Sequence, residues 1–115
     1  MTGVDEWTAL LADTGELSPE VVTAIDDAHG SRGRQAIEAV GESRVKGYRD
    51  FMVVVGHEDE YIVEDDGCEC ADAEYNLDAA DPDDLCWHAI AVRIAEGIDA
   101  VDHHDMWYSD VRYFL

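Results

Sequence analysis

All three cysteines of this chain fall in one stretch, CECADAEYNLDAADPDDLCWH, at positions 68, 70 and 86, and His88 follows two residues after the last. Thiolates and an imidazole are donors that suit zinc, which takes four of them at the corners of a tetrahedron. The spacing favours convergence. In an extended strand, residues i and i+2 point to one face, so Cys68 and Cys70 can aim both sulfurs at one point. Inside a regular helix an i, i+2 pair lies about 200° apart and cannot share an ion. At the start of a helix the geometry differs. Cys86 can keep non-helical dihedrals while His88 lies in the first turn, and the helix N-terminus favours a thiolate there. Cys68, Cys70, Cys86 and His88 therefore make a complete set for one structural Zn2+, with no open position for catalysis. The alternative is a thiol- or histidine-based redox or metal-dependent enzyme. Against it, Cys86 and His88 are too close in sequence to meet within a helix, and no oxyanion loop or third partner accompanies them. Plain buried cysteines are a further alternative, opposed by the acidic flanks GCEC and DDLC. An odd number of thiols, with no secretory leader at the N-terminus, speaks against a disulfide framework and for a reducing, cytoplasmic setting.

For such a set to close, a strand must deliver the first pair and a helix start the second. The chain reads as α+β. Trp7, Leu10 and Leu11 mark a first helix ended by Gly15. Ser18-Pro19-Glu20 is a helix start, with Val21, Val22, Ile25 and Ala28 as its apolar face and Gly30 as its end. A third helix is predicted from about Arg32 to Val40, with Ala36, Ile37 and Val40 inward and Gly41 as its stop. The period then shortens. FMVVV at 51–55 reads as a strand covered on both faces, 56–59 as a turn, and 61–65 as the returning strand of a β-hairpin. After the acidic loop 71–84, Asp83 or Asp84 is expected to cap a helix running to about Glu96 and stopped by Gly97. Trp87, Ile90, Ala91 and Ile94 would be its buried stripe. The aromatic tail 99–115 is expected to dock on the core or on a second copy in a homodimer. The organisation is thus an N-terminal helical segment (1–42), a metal-stapled module (43–98) and a docked tail, in one compact domain.

The order β-hairpin, C-x-C, C-x-H and helix, here DEYIVEDDG, CECADAEY and LCWHAIAVRIAEG, resembles the SWIM zinc finger. The likeness covers about residues 51–97, and the preceding RGRQAIEAV is similar to a helix of small haloarchaeal members. The resemblance implies a ββα unit holding one structural zinc through Cys68, Cys70, Cys86 and His88. It implies no catalysis, and a role in protein or DNA contacts. Two positions depart from the pattern. Ala71 stands where many members have proline, and Trp87 where many have lysine.

Charge frames the whole molecule. The chain carries 28 acidic residues against 7 basic ones, a formal −21, and its sole lysine is Lys46. Carboxylates spread along the chain in this way fit an extreme halophile, whose molar salt screens their repulsion. The rival reading is a mimic of nucleic acid or a ligand for a basic partner. Five of the basic residues, Arg32, Arg34, Arg44, Lys46 and Arg49, lie between 30 and 50 and leave that segment at +2. On a strand, Arg44, Lys46 and Tyr48 would share a face, a phosphate-and-stacking surface for DNA or a protein partner. The competing role for these cations is pairing with carboxylates to hold an over-acidic fold together. Five phosphate contacts would weaken by more than about 10⁴ for a tenfold rise in salt, so charge alone cannot carry DNA binding in molar salt, which moves weight toward protein contacts. His103, His104 and Asp105 are a weak second metal candidate. His29 and His57 are isolated and read as exposed, and GSRGR lacks the ending of a P-loop.

Overall fold

The computed structural model describes residues 3–56, 60–64, 67–68 and 85–113. It is an α+β fold. Three helices come first: α1 (Gly3–Thr14), α2 (Pro19–His29) and α3 (Ser31–Gly41). Strands β1 (Val45–Gly47), β2 (Met52–Val55), β3 (Glu60–Glu64) and β4 (Gly67–Cys68) follow, then α4 (Trp87–Gly97), β5 (Asp102–His103) and α5 (Tyr108–Tyr113).

Local chemistry sets the helix ends. The Ser18 hydroxyl accepts from the Val21 N–H and Pro19 sits in the first turn, as the Ser-Pro-Glu signal requires. Gly15 and Gly30 take positive φ, the conformation that lets the chain turn after α1 and α2. The other two expected glycine stops differ. Gly41 and Gly97 are the last residues of their helices, and the positive-φ residues beyond them are Ser43 and Asp99. Gly97 is needed for packing instead. A methyl group there would stand 2.8 Å from Leu11 Cγ, so its bare Cα is what lets α1 cross close to α4. In α2, Val21 and Ile25 are buried, whereas Ala28 is exposed and Val22 only half-buried. In α3, Ala39 joins Ala36 and Val40 in the core, and Ile37 packs at its margin.

The sheet has order β4-β3-β2-β1-β5. It is antiparallel except at β1 and β5, where Lys46 pairs with Asp102 and Gly47 with His103 in parallel. Helix α4 is the middle layer, packed on α1 and α3 on one side and on strands β1 to β4 on the other. It is accordingly buried nearly all round, through His88, Ala89, Ile90, Ala91, Val92, Ile94 and Ala95. This corrects the single stripe expected for it, in which Trp87 was to be buried. Trp87 is half-buried at the margin. Register then fixes which sheet positions face α4. Val45 pairs with Val54 and Val54 with Tyr61, while Met52 pairs with Val63 and Val63 with Cys68. The core contains Val45, Val54 and Val63, so these rows form the helix-facing side. Val53, next to Val54, is equally inaccessible, as a strand covered on both faces requires. The tail returns to its own sheet as β5 and α5. No described helix is long and apolar enough to cross a membrane.

Candidate functional site

Cys86 is the N-cap of α4. Its backbone is extended (φ −72°, ψ 162°), and its sulfur accepts from the Ala89 N–H at 3.4 Å. The cap is therefore Cys86, not Asp83 or Asp84. The helix begins only at Trp87, because the leucine and cysteine at 85 and 86 are drawn into the core ahead of it. An N-cap sulfur sits at the positive end of the helix, where a thiolate is favoured. His88 lies in the first turn and is 4% exposed. Its ring meets two aromatics at a tilt, Tyr61 of β3 at 4.2 Å between centroids and its neighbour Trp87 at 3.9 Å. Register adds the strand side. Position 68 pairs with Val63, two residues from Tyr61, and α4 touches β4. Sequence reasoning did not find Tyr61. Its only signal is the alternation of β3, which places residue 61 on the face of Val63.

Three of the four expected ligands thus belong to elements in contact, β4 for Cys68 and the start of α4 for Cys86 and His88. Cys70 lies outside the described residues, as does the side chain at 68, and His57 with its turn does too. Of the expected donors the structure describes two side chains: the buried Cys86 sulfur, which accepts a backbone N–H, and the buried His88 imidazole, which meets two aromatic rings.

The five basic residues do not form one surface. Arg34 pairs with Asp26 of the preceding helix. Arg44 lies 5.6 Å over the Trp87 ring, donates to the Val55 carbonyl at 3.4 Å and stands 3.5 Å from Glu42. With Trp87, Gln35 and Glu38 it lines a cleft of about 260 Å³. Lys46 and Arg49 instead meet the C-terminal tail, through Asp102 at 2.9 Å and Asp105 at 2.6 Å. Arg32 is half-buried on α3. Arg44 therefore parts from Lys46 and Tyr48, because the short β1 begins only after it and the neighbouring helix offers an aromatic face.

The tail is anchored by carboxylates that no sequence motif marked. Asp50 accepts from the backbone N–H of Tyr108 (2.6 Å) and Ser109 (3.2 Å) and from the Ser109 hydroxyl (2.7 Å), capping α5 from 58 residues away. Partial desolvation works to raise its pKa, but the Ser109 hydroxyl and the two amides outweigh it and hold the carboxyl below its ordinary value. Asp102 is likewise held low, first by Lys46 and then by His104. Tyr108 is buried and donates its hydroxyl to Glu60 at 2.8 Å. His104 stacks on Tyr48 at 5.1 Å and 16°, and His103 is exposed on β5. Among the described residues no three histidines, cysteines or carboxylates gather as a metal group, so His103, His104 and Asp105 form no described second site. His29 is not isolated: it accepts from Trp7 Nε1 at 2.9 Å, locking α1 to α2.

No family model matches the chain, and no solved structure matches it. It is 42% identical over 91 residues to an uncharacterized protein of Archaeoglobus fulgidus, an alignment covering 79% of this chain and 77% of that protein.

Proposed function

The chain belongs to one family with that archaeal protein, and we propose that it is a non-catalytic zinc module of the SWIM type, working by contact with a macromolecular partner, protein or nucleic acid. One observation carries the reading. Cys86 caps α4 with extended dihedrals while His88 sits in its first turn, both buried, and α4 touches β4, the strand that contains residue 68. That is the arrangement a C-x-H pair needs in order to share an ion with a C-x-C pair on a strand. Cys68, Cys70, Cys86 and His88 would hold the zinc. When bound, the ion would tie the hairpin end to α4 and contribute folding free energy, and a four-ligand set leaves no position for substrate.

The test is metal content on protein purified in molar KCl without added metal, for the wild type and for Cys70→Ala. One zinc per chain, lost in the variant together with cooperative unfolding, is the expected result. A wild type that holds no zinc and keeps three titratable thiols with an unchanged fold would overturn the proposal.

A further inference from the structure

Lys46 points to the face of the sheet opposite α4, and Tyr48 and Arg49 follow it just beyond the end of β1. Residues 102–105 of the same chain run beside them, β5 pairing with β1 at the sheet edge, and Asp102, His104 and Asp105 meet the three side chains. Asp102 sets a carboxylate 2.9 Å from Lys46 Nζ, and Asp105 one 2.6 Å from the Arg49 guanidinium. Between them the His104 ring lies flat on Tyr48, 5.1 Å away and 16° from parallel. The backbone runs alongside, with the His104 N–H on the Gly47 carbonyl at 2.8 Å and the Arg49 N–H on the Met106 carbonyl at 3.0 Å. Acid, flat ring, acid is the order that a short single strand of nucleic acid presents as phosphate, base, phosphate.

We infer that Lys46, Tyr48 and Arg49 form a surface for single-stranded nucleic acid, and that residues 102–105 occupy it as an internal competitor. The inference rests on the reading of the chain as a macromolecule-binding module, but not on its zinc. The outer ion pair is the displaceable part. Asp105 is 87% exposed and Arg49 51%, and exposed ion pairs are weak. The surface also tolerates salt. Two phosphate contacts on a single strand weaken by only about 25-fold for a tenfold rise in salt, far less than five would. Stacking on Tyr48, which reads any base, supplies the rest.

The experiment is fluorescence anisotropy of a labelled oligodeoxythymidylate at low and at molar KCl. Asp102→Asn/Asp105→Asn is expected to bind about tenfold tighter than the wild type, the loss of two competing ion pairs. Asp105→Asn alone, at an exposed position that leaves the strand pairing intact, is expected to show part of the gain. Asp5→Asn/Glu6→Asn on α1 makes the same change in net charge away from the surface and is expected to leave affinity within about twofold. Adding Lys46→Gln/Arg49→Gln to the tail variant is expected to abolish the gain. Equal gains in the tail and α1 variants, no binding by any of them, or equally tight binding of polyglutamate would each overturn the inference. Zinc content measured on the same samples separates its failure from a failure of the metal reading.

Discussion

Cys86 serves the helix as its N-cap, and serine separates that role from metal binding. Serine caps at least as well as cysteine, but its hydroxyl is no zinc ligand beside thiolates and imidazole. Cys86→Ser is therefore expected to lose bound zinc and cooperative unfolding although the cap survives. Urea unfolding with parallel metal analysis checks this, and an unchanged midpoint would reduce Cys86 to a cap. Gly97 makes a second test at this scale. Gly97→Ala forces a methyl onto Leu11 and is expected to cost about 1–3 kcal/mol by overpacking. Leu11→Ala in the same chain removes the obstructing side chain, so the double variant is expected to fall short of the sum of the two single losses. Full additivity in thermal melts would show that the α1–α4 crossing has another cause.

The tail is the element whose attachment depends on titration. Asp50 and Asp102 are both held below the ordinary carboxyl value in the folded chain, by Ser109 and the α5 amides against desolvation in one case and by Lys46 and His104 in the other. A depressed carboxyl contributes its stability in full above the unfolded value, about 3.9, and loses it as pH falls through the lower folded value. Attachment of β5 and α5 is thus expected to hold at neutral pH and to loosen below about pH 4. The protection factors of the Tyr108 and Ser109 amides should fall there before those of α4, measured in molar KCl so that relief of general repulsion does not mask it. Asp50→Ala should give the same loss of protection at neutral pH. Uniform protection across α4 and α5 down to pH 3 would show that the aromatic contacts of Tyr108 with Tyr48 and Phe51 hold the tail without the carboxylates.

At the scale of the molecule, −21 charges share a body with a radius of gyration of 13.7 Å. At about 0.01 M salt the screening length of about 30 Å exceeds that size, and every carboxylate feels the rest. At about 1 M it is about 3 Å, and only near neighbours interact. The melting temperature is expected to climb steeply with KCl over that range, and calorimetry in KCl steps checks it. A flat profile would mean that the pairs of Arg34, Lys46 and Arg49 already offset the repulsion. Much of this molecule is legible without coordinates. The Ser18-Pro19 start, the first three helices, the β2–β3 hairpin and the C-x-H at a helix start follow from signals within a few residues, because capping and periodicity are local physics. Contacts between distant segments are not legible in that way. Nothing near Asp50 says that it caps a helix beginning at Tyr108, nothing near Tyr61 says that its ring meets His88, and Gly97 reads as a stop until Leu11 is seen against it. The sequence by itself determined the donor types, the three leading helices, the β2–β3 pair, the helix after residue 86 and the charge. Only the tertiary structure decided that α4 is the buried middle layer, that Arg44 turns to Trp87, and that the acidic tail lies on Lys46 and Arg49. Those outcomes depend on which surfaces remain to be covered once the sheet and helices have packed, and no local pattern encodes that.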